Sequence, residues 1–585
     1  MICGEAGRAA LARLGIDAGS RTFLPAAVDG IVGTVLDVRT VVVPHGTGLL
    51  EVPVAPAGAG IDGRIRRIGR VADGTLLDTA ASVDDAVVAW CTTAATELVR
   101  TGDTVLEALI DHVRTRTIGG RPLGARQVVQ HRIADRWVEL QAAALAARSG
   151  PADPTTALAV WLGAARAVAR LCDEAVRFRG AGGYLADDVA ARARAEVAGA
   201  RLALGDPDEA AARVGHGLPP RRAADTPARR AVRTALATVW DERRATEADA
   251  TGVLHDPGVH RAVAGQGWLG AFVAHAGLNP ELSPTAAFEI AEELALVGVP
   301  TYALNTSAMT AAVLQAHGSA PVQREVLPRL LAGRAVAALG YTEPEAGSDL
   351  ANIRTVAARA ADGRWRISGT KLYCTLADVA DHALVLARSD PGSERHRGLT
   401  LFLVPLAATG VRVEPLPTAG GEATTRLTLD DVEVDDDLVV GQVDRGWAVV
   451  MDALRFERNA TPWCDGVRLL DAARDLFGDH PATATRLGWA FVDVTLGRAL
   501  VDQLLDDTGA LGEVAPSAVK LFTTEALVAM ADSFVAALPA DGMDRPAARR
   551  IAGLWRRAIS LTIAGGASEV QRDVIARRGL QLPAG

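Results

Sequence analysis

Cysteine and long apolar runs are both scarce in this 585-residue sequence. Its five cysteines are odd in number and far apart, which argues against a disulfide framework and against a cysteine-rich zinc site. No apolar run approaches the roughly 20 residues that a membrane-spanning helix needs. The eleven histidines include no pair three or four residues apart, so we expect no metal site.

Positive charge is in deficit as well. The net charge of −9 and the pI near 5.7 argue against a nucleic acid or an anionic membrane as a partner. The first residues lack the order of basic and then apolar residues that marks a secretory signal, so a cytoplasmic location is expected. The hydrophobic content of 49% is ample for several cores. The length predicts about three to five domains at roughly 100 to 200 residues each.

The character of the sequence changes several times along the chain. Runs of β-branched residues between Pro and Gly clusters indicate strands, whereas Ala-, Leu- and Arg-rich stretches with apolar residues three and four apart indicate packed helices. A stretch rich in turn formers and charge indicates a linker. The predicted segments are 1–80 (degenerate β domain), 81–205 (helical), 206–230 (linker), 231–336 (helical), 337–440 (β) and 441–585 (helical).

Residues 338–350 place a proline, a glycine and several short polar side chains between two apolar runs. Thr342, Ser348 and Asp349 bring hydroxyls and a carboxylate together, and Gly347 lets the backbone approach a ligand. Such a loop suits the polar edge of a cofactor or a phosphate. The ordinary alternative is a plain connection between strands.

Three short segments taken together resemble the acyl-CoA dehydrogenase superfamily over about residues 230–585. Residues 342–349 read Thr-Glu-Pro-Glu-Ala-Gly-Ser-Asp and look like the flavin-binding loop of that family. Residues 367–375 read Ile-Ser-Gly-Thr-Lys-Leu-Tyr-Cys-Thr and look like its second flavin strand. Residues 566–572 read Gly-Ala-Ser-Glu-Val-Gln-Arg and look like its C-terminal signature.

The resemblance implies FAD as the cofactor and an acyl thioester as the substrate. It implies that Thr342 and Ser348 hydrogen-bond the flavin and that Thr375 faces the isoalloxazine ring. The cofactor-binding residues that it implies in this half are Thr342, Gly347, Ser348, Tyr373, Thr375 and Gly566.

The first half resembles a second, trimmed copy of the same fold over about residues 15–205. Residues 114–124 look like the segment whose arginine reaches the flavin pyrophosphate of the neighbouring subunit, and Arg116 matches that arginine. Residues 177–184 look like the glycine-rich turn that approaches the same cofactor, with Gly180 and Gly183 in place. The usual Gln and His of that turn are arginines here, Arg177 and Arg179.

The two halves have lost opposite parts of the family's flavin site. The first half has no Thr-Glu-Pro loop, and the second half has neither the arginine segment nor the glycine-rich turn. We therefore predict a mainly α fold with inserted β domains. Two tandem acyl-CoA dehydrogenase-like units (helical bundle, small β-barrel domain, helical bundle) form an intramolecular pseudo-dimer that holds one FAD. Pairing of two chains would give a homodimer with the shape of a pseudo-tetramer.

The expected catalytic base is Glu457. Many family members carry a glutamate directly before the glycine of the C-terminal signature, but Gly565 occupies that position. Other members place the base on the first long helix after the β domain, and residues 446–458 end in the matching Glu-Arg pair. At helical spacing Glu457 shares a small and apolar stripe with Val450 and Ala453, which suits a carboxylate of raised pKa that takes a carbon-bound proton. The alternative is a structural glutamate in an ion pair.

Departures from the family pattern leave parts of the function open. The resemblance implies an electron-transferring flavoprotein as the electron acceptor. Tyr373 replaces the usual Trp that lies between the flavin and that acceptor, which leaves the route of the electrons open. Cys374 is expected to be a small buried hydrophobe, and Pro462 is expected to end or kink the helix of Glu457. The carrier is CoA or a carrier protein, and two-copy relatives suggest a bulky acyl group. The alternatives are a flavin-dependent monooxygenase or oxidase, or a flavin-free scaffold.

Overall fold

The chain is described by a computed structural model that covers short strands between residues 21 and 76 and then residues 83–202, 206–219, 225–455, 461–478, 480–505 and 509–584. It forms two compact units. Unit 1 comprises Met1–Arg221, Ala473–Ala526 and Gln571–Gly585, and unit 2 comprises Arg222–Ala472 and Leu527–Val570. Unit 1 thus combines the first half of the sequence with segments from its far end.

The helices occupy most of the described residues. They are α1 Val83–Thr115, α2 Gln127–Arg148, α3 Pro154–Arg179, α4 Val189–Leu202, α5 Pro207–His216, α6 Pro227–Leu236, α7 Glu242–Thr251, α8 Pro257–Gly265, α9 Pro284–Leu296, α10 Tyr302–His317, α11 Ala320–Glu325, α12 Leu327–Leu331, α13 Gly446–Arg455, α14 Thr461–Phe477, α15 Pro481–Val501, α16 Ala515–Val535, α17 Pro546–Leu561 and α18 Ser568–Val574.

The strands fall in the two segments that were predicted to be β, with one further short hairpin. They are β1 Arg21–Phe23, β2 Ala27–Val28, β3 Ile31–Val32, β4 Thr40–His45, β5 Gly48–Pro53, β6 Pro56–Ala57, β7 Arg67–Ile68, β8 Thr75–Leu76, β9 Thr117–Ile118, β10 Arg121–Pro122, β11 Ala337–Gly340, β12 Val356–Arg359, β13 Trp365–Lys371, β14 His382–Arg388, β15 Leu399–Pro405, β16 Val411–Leu416, β17 Thr424–Val434 and β18 Val439–Val440. In unit 1 the described strands include a four-stranded sheet in the order β1-β4-β5-β8.

Helices from both halves of the sequence pack together in unit 1. The rings of Trp90 on α1 and Trp161 on α3 lie 5.9 Å apart. On the other side of α3, a Cβ at Gly163 would lie 2.8 Å from Leu496 on α15, so the two helices approach closely. An ion pair between Arg166 and Asp493 joins the same two helices. The core of unit 1 is therefore built jointly by both halves.

The stretch predicted as a linker contains helix α5. Asp206 caps this helix by accepting a hydrogen bond from the backbone N–H of Asp208. Helix α5 crosses α15 at very short range, because a Cβ at Gly215 would lie 2.0 Å from the carbonyl oxygen of Ala484. The linker prediction is wrong for this stretch, because the turn formers on either side of it obscured a short run of good helix formers.

Unit 2 is organised around an eight-stranded sheet in the order β16-β17-β13-β12-β14-β15-β18, with β11 parallel to β14. The central residues of strands β14 and β15 are almost all apolar because both faces of these strands are covered. Leu384 and Leu401 face the helical side beside Val450 of α13, whereas Val385 and Phe402 face the other core. Burial of each such side chain contributes about 1.5–3 kcal/mol.

Within the described residues, no group of three His, Cys, Asp or Glu side chains could hold a metal ion. One helical stretch, Gly512–Val535, is long and apolar enough to cross a membrane, and 72% of its apolar window is buried inside the protein. That degree of burial is typical of a core helix.

Candidate active site

The 342–349 loop leaves the end of strand β11 in unit 2. Its first turn is closed by two backbone hydrogen bonds, from Glu343 N–H to Ala346 O (3.1 Å) and from Ala346 N–H to Glu343 O (3.2 Å). Thr342 is half-buried, whereas Gly347 and Ser348 are exposed at the tip of the loop. A Cβ at Gly347 would meet no other atom within 4 Å. The loop therefore presents hydroxyls and accessible backbone on one rigid turn.

The second predicted cofactor segment is only partly a strand. Strand β13 ends at Lys371, and Tyr373 takes a left-handed conformation with φ 57°. The prediction of a strand that continues to Thr375 is thus wrong, because a positive φ in a bulky residue breaks the extended backbone. We refer to residues 372–375 as the 372–375 turn. Strain of this kind costs on the order of 1 kcal/mol or more and needs support from its surroundings.

Strand β17 supplies that support. Cys374 N–H donates to Thr425 O (2.9 Å), and the Thr425 hydroxyl donates back to Cys374 O (2.6 Å). The hydroxyls of Thr375 and Thr424 lie 3.0 Å apart. Tyr373 itself remains 64% exposed. Cys374 is fully buried, as expected for a small hydrophobe, and burial raises the pKa of its thiol to about 12.

A buried ion pair joins the 342–349 loop to strand β13. Lys371 Nζ donates to Glu343 Oε1 (2.7 Å) and to Leu386 O (2.6 Å), and the lysine side chain is wholly buried. Glu343 also accepts from the backbone N–H groups of Arg354 (2.6 Å) and Thr355 (2.9 Å). The two motifs that were predicted separately therefore form one platform.

The electrostatics of this pair favour the charged carboxylate. Burial raises the pKa of Glu343, but the Lys371 charge and the hydrogen bonds to the carboxylate outweigh burial and hold that pKa below its ordinary value. A second contact between the motifs is neutral, since Leu372 N–H donates to Thr342 O (2.9 Å). Thr342 and the 372–375 turn are thereby fixed relative to each other.

In unit 1, Arg116 follows the last residue of α1. Its N–H donates to His112 O (2.8 Å), and its carbonyl accepts from Leu123 N–H (2.7 Å), so its backbone closes the base of the β9–β10 hairpin. The Arg116 side chain is exposed, and no hydrogen bond or ion pair engages it within the described part of the chain. An unpaired guanidinium of this kind suits an anionic ligand.

The glycine-rich turn lies at the end of α3 in the same unit. Gly180 has φ 63°, and a Cβ at Gly183 would lie 2.8 Å from the carbonyl oxygen of Val176. Both positions thus require glycine. Arg179 donates to Asp188 (Nε–Oδ2 2.9 Å), and Arg177 pairs with Glu174. The extra positive charge that the sequence suggested at this turn is therefore matched by carboxylates.

Burial, the charge of Arg179 and, more weakly, the charge of Arg116 lower the pKa of His112. The end of α1, Arg116 and the glycine-rich turn therefore lie in one neighbourhood.

The predicted base, Glu457, lies outside the described residues. The helix that leads to it, α13, carries Val450 and Ala453 fully buried, as the predicted apolar stripe requires. Helix α14 begins at Thr461 with Pro462 in its first turn, where the missing N–H of proline is harmless. Gly566, which precedes α18, has φ 90°. The role of Glu457 stays a prediction.

A cavity of about 470 Å³ in unit 2 was not identified from the sequence. Arg397, Arg445, His396 and Trp447 line it together with Asp444. The rings of His396 and Trp447 meet edge to face at 4.5 Å. Cations beside an aromatic ring suit a phosphorylated nucleotide. The available signal was the basic run at residues 395–397, which lies in an otherwise ordinary polar loop.

Comparison with known proteins identifies the family. Models of the acyl-CoA dehydrogenase N-terminal domain match residues 224–334, those of the middle domain match 338–432, and those of the C-terminal domain match twice, at 92–208 and 444–580. The acyl-CoA dehydrogenase IpdE1 of Mycolicibacterium smegmatis is 31% identical over 345 residues, which span 55% of this chain and 87% of that protein. The chain belongs to the acyl-CoA dehydrogenase family.

Solved structures agree with this assignment. The Tcur3481-Tcur3483 steroid ACAD has a TM-score of 0.56 at 26% identity and covers 63% of this chain and 100% of its own. The ChsE4-ChsE5 complex from Mycobacterium tuberculosis has a TM-score of 0.53 at 28% identity and covers 62% and 100%. The predicted fold class, with two tandem copies of the family's domains, is confirmed. The protein is an oxidoreductase that acts on CH–CH bonds with FAD as its cofactor.

The residues present fit that cofactor. The 342–349 loop and the 372–375 turn offer the hydroxyls of Thr342, Ser348 and Thr375 as hydrogen-bond partners. The exposed ring of Tyr373 can stack on a flat aromatic group.

Proposed function

We propose that the protein catalyses α,β-dehydrogenation of an acyl-CoA thioester. The observation that carries the proposal is the platform in unit 2, where Glu343 and Lys371 lock the 342–349 loop to the strand that leads into the 372–375 turn. This arrangement holds a fixed set of hydroxyls beside an exposed aromatic ring. Bound FAD would supply the acceptor for the hydride that leaves the β-carbon.

The chain's own residues would bind FAD, orient the acyl thioester and remove its α-proton. We propose that Thr342, Ser348 and Thr375 hydrogen-bond the cofactor, with Gly347 and Gly566 allowing close backbone approach. Glu457 would remove the α-proton of the thioester, a step that needs a carboxylate of raised pKa. A backbone N–H would polarise the thioester carbonyl and so acidify the α-carbon.

The cavity lined by Arg397 and Arg445 supports CoA rather than a carrier protein. We propose that it receives the phosphates and the adenine of CoA, since two guanidiniums can neutralise phosphate charge while Trp447 offers a face for the base. A carrier protein presents only its phosphopantetheine arm and would leave an adenine subsite without a function. Comparison of an acyl-CoA with the matching acyl-pantetheine tests this choice.

We propose one FAD per chain, with Arg116 directed to its pyrophosphate. The loop sequence occurs in the second half alone and the arginine segment in the first half alone. The guanidinium of Arg116 is exposed and has no partner among the described residues, which supports an anionic ligand. Gly180 and Gly183 would bring backbone close to the same ligand. Pairing of two chains stays a prediction that light scattering of the purified protein tests.

A bulky, polycyclic acyl group is the proposed substrate class. The name of one structural neighbour, a steroid ACAD, supports it, as does the expectation from two-copy relatives. The test is anaerobic mixing of the purified flavoprotein with CoA thioesters of steroid acids and of straight-chain acids. A dehydrogenase loses its flavin colour without added reductant. A flavin that bleaches only with external reductant would instead support the oxygenase or oxidase alternative, and a colourless protein would support the scaffold.

A further inference from the structure

Residues 580–583 of the second half, which we call the strap, cross the base of the hairpin that follows Arg116. Arg114 Nη2 donates to Leu580 O (2.7 Å), and Gln130 Nε2 donates to Pro583 O (2.7 Å). Leu580 and Leu582 are both buried. All of these residues belong to unit 1. The strap is thus packed and hydrogen-bonded.

The two strap contacts lie on either side of the hairpin. Arg114 is in the last turn of α1, just before Arg116. Gln130 is in the first turns of α2, after the hairpin, and it is almost wholly buried. Its amide also donates to Gly124 O (2.9 Å), so one side chain joins the strap to the chain that leaves the hairpin.

The strap packs closely against Gly124. A Cβ at Gly124 would lie 3.3 Å from Pro583 Cδ and 3.1 Å from the carbonyl oxygen of Val113. Such distances are at the lower limit of normal contacts. The end of α1, the chain after the hairpin and the strap are therefore in mutual contact, and the hairpin has little freedom to pivot.

The strap is also firmly anchored at its own start. Leu580 N–H donates to Ile575 O and Leu582 N–H to Ala576 O, both at 2.9 Å. Before it, α18 is joined to α2 by two polar pairs. His131 lies 2.9 Å from Asp573, and Arg572 donates to Asp135 (2.8 Å). Through these contacts the strap connects α2 and α18 to the base of the hairpin.

Arginines on the hairpin remain free for a ligand. The side chains of Arg116 and Arg121 are exposed, and neither has a carboxylate partner in the ranges that the structure covers. Arg114, by contrast, uses its guanidinium on the strap carbonyls. Arg114 therefore anchors the hairpin to the strap, while the guanidinium groups of Arg116 and Arg121 remain accessible to a ligand.

We infer that the strap is a positioning element for the flavin pyrophosphate, and that Arg114 and Gln130 are positioning residues that fix Arg116. This inference rests on the proposed function, which assigns the pyrophosphate to Arg116. Loss of either strap contact should let the hairpin move and should weaken FAD binding about tenfold, the size expected for one charge-assisted hydrogen bond.

The experiment compares Arg114→Met, Gln130→Leu and Arg116→Ala in the full chain. After removal of bound flavin, each apoprotein is titrated with FAD and, separately, with riboflavin, which lacks the pyrophosphate. The matched control is Arg100→Met on the same helix, whose side chain is exposed and pairs with Glu97 one turn earlier. Arg114→Lys, which keeps one donor for Leu580 O, should restore most of the FAD affinity.

We expect Arg114→Met and Gln130→Leu to weaken FAD about tenfold and to leave riboflavin unchanged. An equal loss for riboflavin overturns the inference, because general destabilisation does not distinguish the two flavins. Unchanged FAD affinity in Arg114→Met while Arg116→Ala binds weakly also overturns it, yet leaves the proposed function intact. Unchanged FAD affinity in Arg116→Ala refutes the assignment of the pyrophosphate itself. If Gln130→Leu fails to fold, Arg114→Met alone decides.

Discussion

Replacement of Lys371 with Met should lower the free energy of unfolding by about 3–5 kcal/mol, the usual cost of removing one partner of a buried ion pair. The lysine side chain is fully buried, with Nζ 2.7 Å from Glu343 Oε1 and 2.6 Å from Leu386 O. Methionine has a similar length and creates little cavity. The loss therefore reports mainly the uncompensated charge of Glu343.

The double variant Lys371→Met/Glu343→Gln should regain part of that loss. A glutamine still accepts a backbone N–H from Arg354 or Thr355 but carries no buried charge. Recovery of about 1–3 kcal/mol is expected on this ground. The same variant should bind FAD better than Lys371→Met, because the platform regains its geometry.

The pH dependence follows from the depressed pKa of Glu343. A carboxyl of depressed folded pKa stabilises the protein above its unfolded pKa of about 4.3, and that stability is lost as pH falls through the folded value. Without Lys371 the pKa of Glu343 should rise instead. The difference in free energy of unfolding between the wild type and Lys371→Met should therefore become smaller as pH falls from about 8 to about 5.5.

The assay is chemical unfolding followed by far-UV circular dichroism at the two pH values. Arg366→Met is the matched control, since Arg366 lies on the same strand but pairs with Asp431 and Glu433 at the surface. The denaturant midpoint of this variant should equal that of the wild type. A loss below about 1 kcal/mol for Lys371→Met, the size of an exposed pair, would refute the reasoning. A double variant no more stable than the single one would refute it equally.

Three further predictions concern catalysis and partners. Glu457→Gln should keep FAD but lower turnover by about 10²–10⁴-fold, the contribution of a general base, and unchanged turnover would remove Glu457 from the mechanism. Arg397→Ala and Arg445→Ala should raise KM for an acyl-CoA without raising it for the matching acyl-pantetheine, and a parallel rise for both would argue against a nucleotide subsite. Tyr373→Ala should slow reoxidation by an electron-transferring flavoprotein while substrate-driven bleaching stays fast, and unchanged reoxidation would exclude Tyr373 from the electron route.

The sequence predicted the order of helical and β regions because periodicity is a local property. It also placed the 342–349 loop at the start of the β segment, where β11 ends. It could not predict the pairing of Glu343 with Lys371, since the two residues meet only when strand β13 is seated in the sheet. The wrong extension of that strand to Thr375 has a similar cause. The left-handed φ of Tyr373 depends on hydrogen bonds to Thr425 on β17.

Other features arise from contacts between distant parts of the chain. Helix α5 was predicted to be linker because turn formers flank it on both sides, yet Gly215 allows it to pack closely on α15. The strap at residues 580–583 carries no motif, and its position follows from contacts with Arg114 and Gln130, which are distant in sequence. The cavity beside Trp447 was missed for the same reason, since its lining comes from two separate loops.

The most direct test of the central claim is the amount of FAD reduced per polypeptide when the purified protein is mixed anaerobically with a saturating acyl-CoA. One active site per chain predicts that one FAD per polypeptide loses its visible absorbance without added reductant. Two reduced flavins per polypeptide would contradict a single site shared by two complementary halves. A flavin that stays oxidised with every acyl-CoA in the panel would contradict dehydrogenation.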